Sequence, residues 1–421
     1  MPWVTEHAPT RDELDACVTC GLCLPVCPTF RLTGDETASP RGRLTAMTAV
    51  ADGVAEVDET FDDIMGFCLQ CRACEVVCPS MVPFGRAMEG ARTEVAAQLP
   101  GARRTFRRAL VGNALGSRPT VRAATAAAAV AQRVHLDAVA PGPLRRMKGL
   151  RPLSIRGRSV VGSVAVPDGP PLGRAALLAG CVMDPWFGAV HRATIELLRR
   201  GGYMVEVPAA QTCCGALAAH DGAAAQTTSF AEQNAEAFAG YDLVVANAAG
   251  CSAHLKELGN WTEGGGNISA KVRDVTEVVA ELIDTRRLPE LQGDLGEVAI
   301  QDPCHLRHAQ RIVSEPRRIL SAAGYRPVEI DSAGMCCGAA GLYVLLQPEA
   351  SELLGLQKAD QVRQAGPSIV ASANPGCEMQ LRSYLGPGFR IAHPVELYWE
   401  ALRGALPEGD HPAAGQSGKD G

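Results

Sequence analysis

Downstream of about residue 171, short apolar runs alternate with stretches whose apolar positions recur every three or four residues. Ala175–Ala179, Tyr203–Val207 and Asp242–Asn247 read as strands, and so do Glu297–Gln301, Pro327–Ile330 and Ser368–Ala373. Between them Phe187–Arg200, Phe230–Ala239, Glu315–Ala323 and Pro348–Arg363 carry the helical period. Strands alternating with helices predict parallel sheets built from βαβ units. Upstream, apolar residues in 101–136 recur at roughly helical spacing, with a break at Gly116-Ser117-Arg118-Pro119, and Pro141-Gly142-Pro143 ends the helical reading. No run reaches 18 uncharged apolar residues; the nearest approach, Ala123–Val130, is bracketed by Arg122 and Arg133. No membrane span is therefore expected. The opening MPWVTEHAPTRDELD carries acids early and lacks an apolar h-region, so it does not read as a signal peptide, and a cytoplasmic location is expected.

Length and charge refine this picture. A chain of 421 residues implies two to four domains, and 47% hydrophobic residues exclude wholesale disorder. The formal charge of −6 argues against a general nucleic-acid binder. It is an average, however: residues 101–160 hold 13 Lys or Arg against the single acid Asp137, so the remainder carries about −18. That basic segment reads either as a docking or membrane-surface patch or as a connecting face packed on the region before it. The Gly- and Pro-rich tail from Gly404 is expected to be disordered.

Sixteen cysteines change the picture most, because a reducing compartment does not keep structural disulfides. The first eight form two identical quartets. Cys17-x2-Cys20-x2-Cys23-x3-Cys27-Pro28 recurs, displaced by 51, as Cys68-x2-Cys71-x2-Cys74-x3-Cys78-Pro79. The other eight form two more, Cys181, Cys213, Cys214, Cys251 and Cys304, Cys336, Cys337, Cys377, displaced by 123 and, at the last position, 126. None is left over.

Three thiolates at x2 spacing with a fourth before Pro are the two-cluster ferredoxin pattern, in which the fourth cysteine ligates the other cluster. The crossed assignment gives one [4Fe-4S] cluster to Cys17, Cys20, Cys23 and Cys78, and the second to Cys68, Cys71, Cys74 and Cys27. Zinc is the alternative for soft thiolates, but zinc sites use paired Cys-x2-Cys, not this triplet register. Nearby cations raise a cluster's potential, and Arg41, Arg43 and Arg72 are candidates unless they are plain surface arginines.

In the later quartets a vicinal pair precedes Gly215 or Gly338, and the single cysteines fall just after strands. Side chains there converge on the crevice at the carboxyl ends of a parallel sheet. These eight thiols read as an iron–sulfur centre, another metal site, a redox thiol pair or buried apolar cysteine. His220, His254, His305 and His308 lie close enough in sequence to ligate or move protons, or to be ordinary histidines.

CVTCGLCLPVCPTFRLTGDETASPRGRL (17–44), CLQCRACEVVCPS (68–80), AGCSAHLKELG (249–259), DPCHLRHAQR (302–311), CCGAAGLY (336–343) and ANPGC (373–377) resemble the iron–sulfur subunits of bacterial glycolate oxidases. The likeness covers nearly the whole chain. It implies a multidomain α+β and α/β protein: a helical ferredoxin-type domain with two [4Fe-4S] clusters (1–95), a basic helical linker (96–170), two tandem Cys-Cys-Gly domains with parallel sheets (171–290 and 291–403), and a tail (404–421). Heterodisulfide reductases, a related group, end each Cys-Cys-Gly domain in Cys-x-x-Cys; here Ala248 and Asn374 occupy the first slot. The glycolate oxidase subunits share that lack, which favours them over disulfide chemistry.

Oxidising a 2-hydroxy acid needs a hydride acceptor such as a flavin. No G-x-G-x-x-G follows a strand, and Gly264-Gly265-Gly266 does not open a helix after one. The expected function is thus an electron relay between a flavin-carrying dehydrogenase subunit and a quinone or other acceptor, in the cytoplasm or peripheral on the inner face of the cell membrane. The alternatives are thiol/disulfide catalysis of the heterodisulfide reductase kind, and the iron–sulfur subunit of an anaerobic glycerol-3-phosphate dehydrogenase.

Overall fold

The computed structural model describes residues 3–99, 101, 114, 116–134, 149–155 and 157–405. Its first part is helical, and the helices begin where the chain supplies caps. Thr10 and Glu13 form a capping box that opens Arg11–Asp15. Ser39 accepts from the Gly42 N–H ahead of Pro40–Ala51, and Asp58 accepts from the Phe61 N–H ahead of Glu59–Gly66. The helix Phe84–Gln98 presents Phe84, Met88, Ala91 and Val95 to Leu44, Met47, Phe61 and Met65, making a small core beside the cysteine loops.

Two sheets follow. The first contains β1 (Val164–Ala165), β2 (Arg174–Leu177), β3 (Met204–Glu206), β4 (Leu243–Ala246) and β5 (Val272–Asp274), in the order β1-β3-β2-β4-β5. Only the β1–β3 pairing is antiparallel; Ala175 sits opposite both Val205 and Leu243 in parallel register. The second contains β6 (Gly296–Gln301), β7 (Tyr325–Glu329), β8 (Ile369–Ser372) and β9 (Arg390–Ala392), ordered β7-β6-β8-β9 and parallel throughout. Apart from the β1 edge the two sheets repeat one topology. Central strands β2, β4, β6 and β8 are buried on both faces, which is why they read as continuous apolar runs.

The sheets are not independent bodies. The helix Pro394–Ala405, which follows β9, places Val395, Tyr398, Trp399 and Leu402 in one core with Leu197, Leu198, Val279 and Ile283 of the first unit. Tyr398 also donates to the Pro289 carbonyl at 2.6 Å. The two units therefore share their largest apolar cluster.

The helix Arg118–Arg133 packs on the first sheet unit rather than on the ferredoxin-type region. Trp186 donates to the Thr125 hydroxyl at 2.9 Å, and Arg118 donates to the Ala209 and Gln211 carbonyls. Arg151 lies between Glu378 and Glu396. Most other cations of the basic segment, and the tail beyond Ala405, fall outside the described residues. The glycine run opens a five-residue helix, Gly265–Ser269, after a 3-10 turn and not after a strand. Among the described residues no helix is long and apolar enough to cross a membrane.

Candidate metal centres

All sixteen cysteines are free thiols. Cys17, Cys20, Cys23 and Cys78 line one small cavity, and Cys27, Cys68, Cys71 and Cys74 line another. The first cavity thus takes three thiols from the first 51-residue repeat and two, Cys74 and Cys78, from the second, whereas the second takes three from the second repeat and only Cys27 from the first. Pro40, Cys74 and Phe84 border both, so the cavities abut. Among the described residues no three His, Cys, Asp or Glu side chains come close enough together to hold a single metal ion. Thiols spread over the wall of a cavity suit a polynuclear cluster instead, because its irons occupy the middle and its cysteines the corners.

The repeat extends to the backbone. Thr19 and Gln70, related by 51 residues, have φ of 54° and 51°, and Gly21 and Arg72, related likewise, have 82° and 61°. Left-handed backbone at three non-glycine residues is strained, and the loops hold it because it wraps the x2 spacers around the cavity. It also turns amides toward sulfur: the Gln70 N–H donates to Cys68 Sγ at 3.3 Å. The cavities differ in setting. Cys20 is exposed, whereas Cys27, Cys68, Cys71 and Cys74 are all buried.

The three candidate arginines separate. Arg41 borders the first cavity but is paired with Glu36. Arg72 borders the second and is paired with Glu75 and Glu257. Arg43 borders the second, is fully buried, and donates to neutral oxygens: the Ile64 carbonyl at 2.9 Å, the Ala38 carbonyl at 2.8 Å and the Thr29 hydroxyl. Its charge is the one left to act on a cluster there.

Each later quartet gathers at the carboxyl ends of parallel strands. Cys181 follows β2, the Cys213-Cys214 loop follows β3, and Cys251 lies on the helix Ala249–Leu255 after β4. The thiols touch in sequence: Cys181 hydrogen-bonds Cys213, Cys213 hydrogen-bonds Cys214, and Cys214 lies 3.3 Å from Cys251. Cys304, Cys336, Cys337 and Cys377 repeat this chain after β6, β7 and β8. The glycine after each pair is needed twice over. Gly215 and Gly338 have φ of 98° and 83°, and a Cβ would sit 3.0 Å from His254 Nε2 or 2.7 Å from the Ser351 carbonyl. Hydrogen bonds with neighbouring thiols, and then burial, raise Cys181, Cys336 and Cys377, whereas hydrogen bonds from Cys336 and Cys377 hold Cys337 below the ordinary thiol range, helped by the Lys358 charge.

Residues that brace these loops carry no sequence signal of their own. The Asn234 amide accepts from the Thr212 N–H and donates to the Cys213 carbonyl. Gln211 bonds Ala179 and Leu177 across the end of β2. In the second unit Lys358 pairs at 2.7 Å with Asp331, which accepts from the Ala333 and Met335 N–H groups just before Cys336. Asn374 stands in the vacant cysteine slot, where it accepts from the Gly250 N–H of the first unit and donates to Cys377 Sγ at 3.5 Å.

The second quartet also meets the ferredoxin-type region. Cys71 and Cys336 share an apolar cluster with Leu69, Tyr343 and Leu354, and Cys304 packs against it. Burial first, then the adjacent Cys304, raises the Cys71 thiol. His305 hydrogen-bonds the Gln70 backbone, Arg72 pairs with Glu257 at 2.6 Å, and Arg92 donates to the His220 carbonyl at 2.6 Å. His220 and His305 approach to 5.4 Å between ring centroids. Burial holds His254 and His305 down at about 4, so they are neutral. His308 has a different task, bonding the Gly334 carbonyl at 2.9 Å.

Comparison with known proteins places these sites in a family. The 4Fe-4S dicluster domain family matches residues 13–82, and the Cysteine-rich domain family matches twice, over 175–256 and 298–382. A probable glycolate oxidase iron-sulfur subunit from Bacillus subtilis (strain 168) is 34% identical over 418 residues, covering 92% of this chain and 94% of that protein. The chain belongs to the family of glycolate oxidase iron–sulfur subunits. The Escherichia coli (strain K12) glycolate oxidase iron-sulfur subunit is 30% identical, with 92% of this chain and 94% of its own length aligned. A subunit of the fumarate reductase (CoM/CoB) from Methanothermobacter marburgensis is 32% identical over 252 residues, 58% of this chain and 50% of that protein. The chain is accordingly an iron–sulfur protein of the electron-transfer kind, with ferredoxin-type and cysteine-rich parts.

Proposed function

We propose that the chain is the iron–sulfur relay of a flavin-dependent glycolate (2-hydroxy acid) dehydrogenase complex and hands electrons to a quinone or other acceptor. Two [4Fe-4S] clusters are held in the crossed assignment, the first by Cys17, Cys20, Cys23 and Cys78, the second by Cys27, Cys68, Cys71 and Cys74. The observation that carries this reading is the pair of abutting cysteine-lined cavities, each drawing thiols from both 51-residue repeats, one reaching the surface at Cys20 and the other buried beside Cys304. Such a series has an outer end, where a flavin subunit can reduce it, and an inner end that leads into the Cys-Cys-Gly units. Exposed Val18 and Leu22 line the outer end, exposed Met81 lies between its lining residues Ser80 and Val82 in sequence, and together they supply an apolar seat for that subunit. The quartets Cys181, Cys213, Cys214, Cys251 and Cys304, Cys336, Cys337, Cys377 are taken as further iron–sulfur or metal centres. Asn374 and Ala248 in the vacant slots weigh against disulfide reduction.

Cys20→Ser tests the relay in the anaerobically purified complex. Wild-type protein should carry at least about eight irons with matching acid-labile sulfide, and glycolate should bleach its clusters. The variant should lose the first cluster and electron delivery, while the flavin subunit still binds substrate. Unchanged iron and turnover would contradict the relay.

A further inference from the structure

A buried acid is left over once the cysteines are placed. Glu89, on the helix Phe84–Gln98, is 9% exposed, yet its carboxylate accepts no hydrogen bond among the described residues. It lines a small pocket where the ferredoxin-type region meets both Cys-Cys-Gly units. Gln70 and Arg72, on either side of Cys71, line the same pocket, and Arg72 also borders the second cysteine-lined cavity. The pocket and that cavity thus share a wall.

The cations near Glu89 are engaged elsewhere. Arg72 pairs with Glu75 and Glu257, and Arg86 with Glu13 and the His7 carbonyl. Arg92 donates to the Met65, Cys68 and His220 carbonyls. Glu257 lines the same pocket and repels the carboxylate. His254 and His305, both neutral, line it too. The side chain that reaches Glu89 is His220, with Nε2 3.7 Å from Oε1. Burial, then His305 and His254, push His220 well below the ordinary histidine range, so it is also neutral. Among the described residues no three of these side chains come close enough to hold a metal ion, so the group suits protons instead. His220 is also the titratable side chain common to this pocket and the neighbouring chamber of about 520 Å³, which reaches the surface at exposed Asp63 and Leu346.

An electron placed in a buried site of low dielectric costs least when a positive charge arrives with it. We propose that Glu89 takes up one proton when the second cluster is reduced, with His220 passing it in from the chamber. The assignment rests on the relay described above and adds what balances its charge at the buried end. The electron comes from the flavin-carrying subunit and the proton from solvent. One O–H bond forms on the carboxylate, and no other bond is made or broken. Burial, then Glu257, push the carboxyl up to about 8 against the pull of Arg72, Arg86 and Arg92. A negative charge added nearby raises it further. Below about pH 8 Glu89 therefore keeps its proton in both redox states, and above it the proton comes with the electron.

Redox titration of the second cluster by EPR, in the anaerobically purified complex from about pH 6.5 to 9.5, tests this without glycolate. In wild type the midpoint potential should be level at the acid end and fall above about pH 8. One proton per electron weakens reduction up to tenfold per pH unit, or about 59 mV, and the whole fall should be at least about fivefold. Glu89→Gln should hold the potential level throughout, and Glu89→Asp, which keeps a carboxylate, should restore a slope. His220→Gln should keep the slope, because an equilibrium does not depend on the route. Iron content checks that each variant keeps its clusters. A level potential in wild type, or a wild-type slope in Glu89→Gln, overturns the assignment. So does a slope lost in His220→Gln alone, which would put the proton on His220. Absence of a reducible second cluster would remove the relay and this assignment together, whereas a reducible cluster indifferent to pH would remove this assignment alone.

Discussion

His191 illustrates how burial sets charge in this molecule. The ring is fully buried; its Nε2 bonds the Ala179 carbonyl at 2.9 Å, and its Nδ1 accepts from the Asn247 amide at 3.0 Å. That pattern suits only the neutral imidazole. Burial holds the group at about 4, against the pull of Asp184. Because the folded value lies below the unfolded one, the folded chain binds fewer protons between them, and stability falls as pH drops from about 6.5 to about 4. The contribution is complete above that window and amounts to about 3 kcal/mol. His393, buried and held at about 3, acts in the same direction. Denaturant unfolding measured from pH 7.5 to 4.5 should show this loss, and His191→Gln should make the pH dependence shallower. An identical slope in the variant would mean that other groups carry the acid sensitivity.

Arg151 does for two helices what His191 does for one strand end. Its guanidinium donates to both carboxylate oxygens of Glu378 (2.6 and 2.8 Å) and of Glu396 (2.9 and 2.8 Å), tying Pro375–Leu385 to Pro394–Ala405. Glu378 keeps Arg382 if Arg151 is lost, but Glu396 keeps only the His393 N–H among its bonds here. Removing one partner of a buried pair costs more than the pair contributes, so Arg151→Met should destabilise by about 3–5 kcal/mol. Adding Glu396→Gln should recover part of that loss in thermal unfolding. This clamp was not legible in the sequence, where Arg151 is one cation among many. Strands β2, β4, β6 and β8 were legible, because burial on both faces writes a continuous apolar run. Strands β1, β5 and β9 were not: two or three residues, with Arg273 and Arg390 among them, leave no period to read. A cue did exist at Asp274-Val275-Thr276-Glu277, whose capping box opens Val275–Asp284. The cysteines were legible for the opposite reason, since cluster ligation depends on short local spacing.

What spacing cannot reveal is which quartet faces the ferredoxin-type region, because that contact joins residues more than two hundred positions apart. Cys71 packs with Cys336, and Cys304 lies against both. Cys213 and Cys214 sit in a different cluster, among Phe230, Leu255 and Trp261. The two units share a topology yet are unequal in wiring, and only the second continues the line from the exposed cavity through the buried one. On the proposed assignment, a centre held beside Cys71 would feel the field and spin of the cluster there more strongly than one on the other unit. Cys336→Ser should therefore alter the EPR line shape or midpoint potential of the second ferredoxin-type cluster. Cys213→Ser should leave that signal in place and remove only a signal of its own. Anaerobic redox titration of both variants beside wild type reads the difference directly. If the two substitutions perturb the second cluster equally, or neither does, the second unit has no privileged place in the path.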